Sequence, residues 1–203
     1  MSRRFVSLFA VVAALAGLWW FYPRVDSTTP ARGTNVIAFG DSLVEGVGAS
    51  RGHDLVWLLS TRTGVPIINA GRRGDTTEAA LARLDRDVLA RDPRVVIVVL
   101  GGNDLIRRVP REQTIANMSR IVERIRARGA GVILAPVSLG VIVDQYADGY
   151  DEIAQRTSSV LVPDILDGIL GETRMTADPI HPNDRGYALM AARLESALRA
   201  MLR

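Results

Sequence analysis

From Asn35 onward, short runs of apolar and largely β-branched residues alternate with longer stretches in which apolar residues recur every three or four positions. The short runs predict strands from Val36 to Phe39, Val65 to Asn69, Val95 to Leu100, Gly131 to Ala135 and Val160 to Pro163. The longer ones predict helices, most clearly from Thr76 to Arg91, Arg111 to Arg128 and Asp184 to Leu202, each with arginines and acids on the face opposite its apolar stripe. A run such as "VVIVVL" (95 to 100) is apolar on both faces, as a strand is when helices cover the sheet on each side. With right-handed crossovers, this alternation predicts a doubly wound three-layer α/β/α sandwich of about five parallel strands. In such a sheet, ligands bind at the carboxyl ends of the strands.

Ahead of that pattern, "MSRRFVSLFAVVAALAGLWWFYPR" opens on two arginines and then carries no charge from Phe5 to Tyr22. As a helix this run rises about 27 Å at ~1.5 Å per residue, close to the roughly 30 Å of a hydrocarbon core, with its aromatic residues at the far interface. Residues 1–22 are therefore expected to form a membrane anchor or signal segment, leaving Arg3 and Arg4 in the cytoplasm and the rest of the chain outside. Cleavage after Ala14-Leu15-Ala16 would leave "GLWWFY" as an apolar new terminus, which favours an uncleaved span. Residues 23–34, rich in Pro, Ser and Thr without apolar periodicity, predict a linker, and residues 35–203 one domain.

Charge changes this picture little. The 25 basic residues against 22 acidic ones are all arginine, so the high isoelectric point partly reflects the absence of lysine. Without the N-terminal segment the domain is close to neutral, and no nucleic-acid partner is expected. With no cysteine, the chain has no disulfide, no thiolate metal site and no cysteine nucleophile.

Candidate chemistry collects where the predicted sheet would put it. The strand ends carry "FGDSL" (39 to 43), "NAGRRGDTT" (69 to 77) and "LGGNDL" (100 to 105), and "ADPIHPNDRG" (177 to 186) precedes the last helix. Ser42 has a bland reading, because with Glu45 it spells S-x-x-E, the capping box of a helix N-terminus. It also has a chemical one. A serine hydroxyl is a weak nucleophile until an imidazole takes its proton and a carboxylate holds that ring in one tautomer, and Asp178 and His181 supply both within one short turn. Gly74, the Ser42 N–H and the Asn103 amide are the expected donors to a developing oxyanion. Seen singly, Asn103 or Asp104 would be a helix cap, Asp41 and Asp75 would bond the turns they sit in, and His53 would be a solvated residue at the start of a helix. Four independent caps have no reason to supply a nucleophile, a base, an orienting acid and an oxyanion hole at one sheet edge.

"GDSL", the glycine of "GRRGDTT", "GGND" and "DPIHPN" resemble, in order, the four sequence blocks of the SGNH (GDSL) hydrolases over residues 35 to 200, and within them the bacterial thioesterase I, lysophospholipase and arylesterase group. The resemblance implies a flavodoxin-like fold and a monomeric serine esterase that needs no cofactor and no metal. It also implies Ser42, His181 and Asp178 as nucleophile, base and orienting acid, with Ser42, Gly74 and Asn103 as the oxyanion hole. The expected partner is a small acyl ester or thioester, with "LIRRVP" (105 to 110) and "VSLGVIVDQY" (137 to 146) flanking an acyl groove. Three alternatives stand beside it: a carbohydrate O-acetylesterase of the same fold, a metal-dependent phosphohydrolase using Asp41, Asp75 and Asp104, and a non-catalytic surface-binding domain.

Overall fold

A computed structural model describes residues 33–137 and 146–203. The N-terminal anchor or signal segment lies outside the described residues, as do the linker but for its last two positions and most of the stretch 137–146. Among the described residues, no helix is long and apolar enough to cross a membrane.

Five parallel strands form one sheet in the order β2-β1-β3-β4-β5: β1 (Asn35–Gly40), β2 (Ile67–Gly71), β3 (Pro93–Val99), β4 (Gly131–Leu134) and β5 (Val160–Leu161). Seven α-helices are described: α1 (Ser42–Glu45), α2 (Leu55–Thr63), α3 (Thr77–Asp87), α4 (Gly102–Ile106), α5 (Arg111–Ala127), α6 (Ala147–Thr157) and α7 (Asp184–Leu202). Two of the three interior strands, β1 and β3, explain the layers. Val36, Ala38, Val95, Ile97 and Val99 face a core that includes Leu55 and Leu59 of α2 and Leu194 of α7. Their neighbours Ile37, Phe39, Val96 and Val98 face a second core with Leu84 of α3, Ile121 of α5 and Ile153 of α6. Each fully buried side chain of this kind contributes about 1.5–3 kcal/mol, so the consecutive apolar residues of β1 and β3 hold both helical layers to the sheet.

Several boundaries differ from the expected ones for local reasons. Gly64, at φ 74°, ends α2, and Pro66 has no N–H to give to the ladder, so β2 starts at Ile67 and runs to Gly71. The helix expected from Thr76 to Arg91 breaks at Val88 (φ −127°, ψ −62°) and continues as a 3₁₀ turn over Leu89–Arg91. The edge strand β5 keeps two residues of the expected four.

Candidate active site

β1 ends at Gly40, where an added Cβ would stand 2.3 Å from the Val99 carbonyl oxygen, so glycine alone lets β1 and β3 run together to their ends. The chain then turns into α1 with Ser42 as its first residue and Asp41 as its cap, the Asp41 carboxylate accepting from the Leu43 N–H at 3.0 Å. The expected capping box is therefore not formed. Glu45 instead reaches the turn after β2, accepting from the backbone N–H of Arg73 and from its Nε at 2.9 Å. Ser42 is left with a hydroxyl that caps nothing.

That hydroxyl meets His181. Nε2 of the imidazole is 3.0 Å from Ser42 Oγ, and Nδ1 is 2.7 Å from Asp178 Oδ2. The loop holding this pair is rigidly built. Thr176 bridges to Pro182, Ala177 donates its N–H to the His181 carbonyl at 2.9 Å, and Asn183 caps α7 through the N–H groups of Arg185 and Gly186. Asp178 Oδ1 accepts from the N–H groups of Ile180 and His181, both at 2.9 Å, which aims Oδ2 at the ring. The Ile180 N–H, and then the imidazole, hold the Asp178 carboxyl below the usual carboxylate range. An imidazole held by an ionised acid on one nitrogen and facing a hydroxyl on the other can take that hydroxyl's proton.

Asn103, in α4 at the end of β3, sends Nδ2 to Asp41 Oδ2 at 3.1 Å and to the Asp75 carbonyl at 3.0 Å. The cap of α4 is Gly101, so Asn103 is not a cap. Asp104 is not one for α4 either: it accepts from the backbone N–H and hydroxyl of Thr77, at 2.9 and 2.6 Å, where α3 begins. Ser42, Asn103 and His181 line one cleft whose apolar wall includes Leu43, Ile106, Val137, Leu166 and Ile180. Gly74 is not part of that lining. It occupies the neighbouring turn at φ 77°, where its carbonyl accepts from Arg107 at 2.8 Å. Asp41 is 2% exposed, and burial pushes its pKa up to about 6 against the pull of the Leu43 N–H, His181 and Asn103.

The three acids of the phosphohydrolase alternative do not converge. Asp41 faces Leu43 and Asn103, Asp104 faces Thr77, and Asp75, expected to bond its own turn, pairs with Arg83 of α3. Among the described residues no three histidine or acidic side chains gather as a metal-binding group. His53 is exposed, with Nδ1 3.0 Å from Ser50 Oγ, in keeping with the solvated role expected of it. Arg83 is the residue that sequence reasoning passed over. Its signal was there, since it falls on the apolar stripe Ala80-Leu84 of α3, where a cation has no place without partners.

Residues 38–189 match the GDSL-like lipase/acylhydrolase family. The chain is 30% identical over 166 residues to esterase TesA of Pseudomonas aeruginosa, covering 76% of this chain and 83% of that protein. It is 27% identical over 180 residues to thioesterase 1/protease 1/lysophospholipase L1 of Escherichia coli K12, covering 85% and 86% of the two. A crystal structure of TesA superposes with a TM-score of 0.77 at 27% identity, over 83% of this chain and 99% of that one. The parallel five-stranded sheet, the blocks at its carboxyl edge and these similarities agree that the chain belongs to the GDSL-like lipase/acylhydrolase family of ester-bond hydrolases.

Proposed function

We propose that the protein is a serine esterase that cleaves acyl esters or thioesters with Ser42 as nucleophile, His181 as general base and acid, and Asp178 as the group that orients the imidazole. The observation that carries this reading is the continuous path Asp178 Oδ2, His181 Nδ1, His181 Nε2, Ser42 Oγ, with steps of 2.7 and 3.0 Å across the ring. Ser42 Oγ attacks the acyl carbon as Nε2 takes its proton. The tetrahedral intermediate collapses to an acyl-serine while Nε2 returns that proton to the leaving alcohol or thiol, and water repeats the sequence to release the acid.

The oxyanion is held by the N–H groups of Ser42 and Gly74 and by Asn103 Nδ2. The Asn103 amide already serves Asp41 and the Asp75 carbonyl, so it shares one of those hydrogens with the oxyanion rather than offering a free one. An apolar acyl group suits the cleft, whose lips include Ile106 at 50% and Ile180 at 43% exposure, two of the four large apolar side chains that stand exposed among the described residues. A carbohydrate O-acetylesterase would place its sugar against these same residues, and no observation favours it.

The test is to profile residues 33–203 on p-nitrophenyl esters of graded acyl length beside an acyl-CoA, a lysophospholipid and an acetylated sugar, with EDTA present and absent. Turnover that rises with acyl length, survives EDTA and is abolished by a fluorophosphonate labelling Ser42 supports the proposal; deacetylation of the sugar alone points to the alternative. We further propose that residues 1–22 hold the enzyme in the bacterial inner membrane, with the domain on the outer side. Full-length protein in the membrane fraction supports this, whereas a shortened soluble form in the periplasm means a cleaved signal.

A further inference from the structure

The geometry points to Arg83 as a positioning residue for the oxyanion side of the site, an inference that rests on the esterase reading for its kinetic readout. Arg83 is only 6% exposed, yet its guanidinium is spent on groups from three active-site elements. Nη2 donates to the carbonyl of Gly40, the last residue of β1, at 2.9 Å. Nη1 donates to the carbonyl of Ala70 in β2 at 3.0 Å and to Asp87 at 3.1 Å. Nε donates to the carboxylate of Asp75, and the cation stands 4.5 Å from the centre of the Phe39 ring.

These contacts close a ring. Gly40 leads covalently through Asp41 to Ser42; the Asp41 carboxylate accepts from Asn103; Asn103 donates to the Asp75 carbonyl; the Asp75 side chain accepts from Arg83; and Arg83 returns to Gly40. The ring joins the ends of β1, β2 and β3, and with them the nucleophile, the turn of Gly74 and the Asn103 amide. Loss of the guanidinium would leave the Asp75 carboxylate buried beside Asp41 with its ion partner gone, and would free the turn that carries Gly74 and holds the Asn103 amide through the Asp75 carbonyl.

A purely structural reading does not account for the choice of residue. A buried ion pair seldom stabilises a fold more than a well-packed apolar side chain of the same size, and a leucine would continue the stripe of α3. A lysine offers one point charge where the site uses a planar fork on four separate oxygens. Arg83 therefore acts through Asp75 and Gly40 on the placement of Asn103, without touching the reacting atoms.

The experiment compares wild type with Arg83→Met, Arg83→Lys and Asp75→Asn, and with Val122→Ala, a cavity in α5 that weakens the fold away from the ring. Steady-state p-nitrophenyl butyrate kinetics are measured well below each variant's Tm. The side-chain amide resonances of Asn103, assigned by their absence in Asn103→Ala, are recorded in parallel. The inference expects Arg83→Met and Asp75→Asn to lower kcat by about 10- to 100-fold with KM little changed, as a misplacement of catalytic groups does. It expects Arg83→Lys to rescue little, the pair Arg83→Met/Asp75→Asn to be hardly worse than either change alone, and the Asn103 amide signals to move in the Arg83 and Asp75 variants but not in Val122→Ala.

Asn103 signals that stay in place in every folded Arg83 or Asp75 variant overturn the inference, whatever the kinetics. Those signals also separate it from the esterase reading: if wild type shows no Ser42-dependent turnover the proposed function fails, and the amide resonances still decide whether Arg83 positions Asn103. Should Arg83→Met not fold, Arg83→Lys and Asp75→Asn carry the same comparison.

Discussion

The carboxylate of Asp41, rather than the hydroxyl of Ser42, closes the N-terminus of α1, accepting from the Leu43 N–H at 3.0 Å. Removing the hydroxyl therefore removes no cap. Ser42→Ala is expected to keep stability within a few tenths of a kcal/mol of wild type, where loss of a true cap costs about 1 kcal/mol. Ester hydrolysis is expected to fall by several orders of magnitude. Thermal unfolding and p-nitrophenyl butyrate turnover on the same samples check both. A folded variant retaining more than about a tenth of wild-type kcat sinks the nucleophile assignment, because loss of such a residue ordinarily costs far more.

The hydrogen-bonded path from Ser42 to Asp178 predicts strong non-additivity. His181→Ala should cost nearly as much activity as Ser42→Ala, and Asp178→Ala rather less, since the ring keeps its nitrogen and loses only its orientation. The double variant Ser42→Ala/His181→Ala should be hardly worse than Ser42→Ala. Effects that simply multiply would show that the two residues do not act as a unit.

Asn103→Ala is expected to lower kcat by about 10² to 10³, the usual cost of one oxyanion donor. It also strips the buried Asp41 carboxylate of one of its hydrogen-bond donors. The same variant should therefore raise the pKa of Asp41 further above about 6, which carboxylate chemical shifts followed by NMR titration would register. An unchanged kcat would leave Asn103 with the task of joining Asp41 to the Asp75 carbonyl and no other.

Asp41 also sets a pH dependence of unusual sign for a carboxylate. Burial raises its folded pKa to about 6 from the ordinary 3.8, so its contribution is fully present below the unfolded pKa and is lost as pH rises through the folded one. From about pH 4 to about pH 6 this one group should withdraw about 3 kcal/mol of stability, at 1.36 kcal/mol per unit. Asp178, held below the usual range, acts oppositely and only at more acid pH, where its contribution disappears as it is protonated. Denaturant midpoints at pH 4.5 and 7 for wild type and Asp41→Asn separate the two: the variant should lack the decline. Parallel pH dependences in both proteins would assign the decline to other groups.

The architecture was legible because it rests on residues that face the core on both sides of the sheet. Consecutive apolar positions in β1 and β3 announce a covered parallel strand without any partner being known, and α7 runs from Asp184 to Leu202 as its periodicity predicts. Less was legible where one residue decides an end: the carbonyl-only Pro66 before β2, the break at Val88 in α3, the two residues of β5. At the site, Ser42, Asp178 and His181 were found by residue type and fall together. Asp41 bonds its own turn as expected, but its second partner Asn103 and the partners of Asp75 and Asp104 were not legible, because a carboxylate's choice between its own turn and a distant donor is made by tertiary packing, and spacing along the chain does not record it. Arg83 belongs to the same class, a cation on an apolar stripe whose partners lie on two other strands.

The distance along the chain between Ser42 and His181, 139 positions, also sets a timetable. During synthesis Ser42 emerges early, just beyond a strand that stays unfinished until β3 arrives to flank it, and on the proposed reading it remains an ordinary alcohol until the loop before α7 brings Nε2 of His181 alongside. Contacts so far apart in sequence form slowly and last. On the proposed reading of the site, a nascent chain therefore stays inactive for nearly its whole length and becomes reactive only as the loop before α7 closes on the sheet edge.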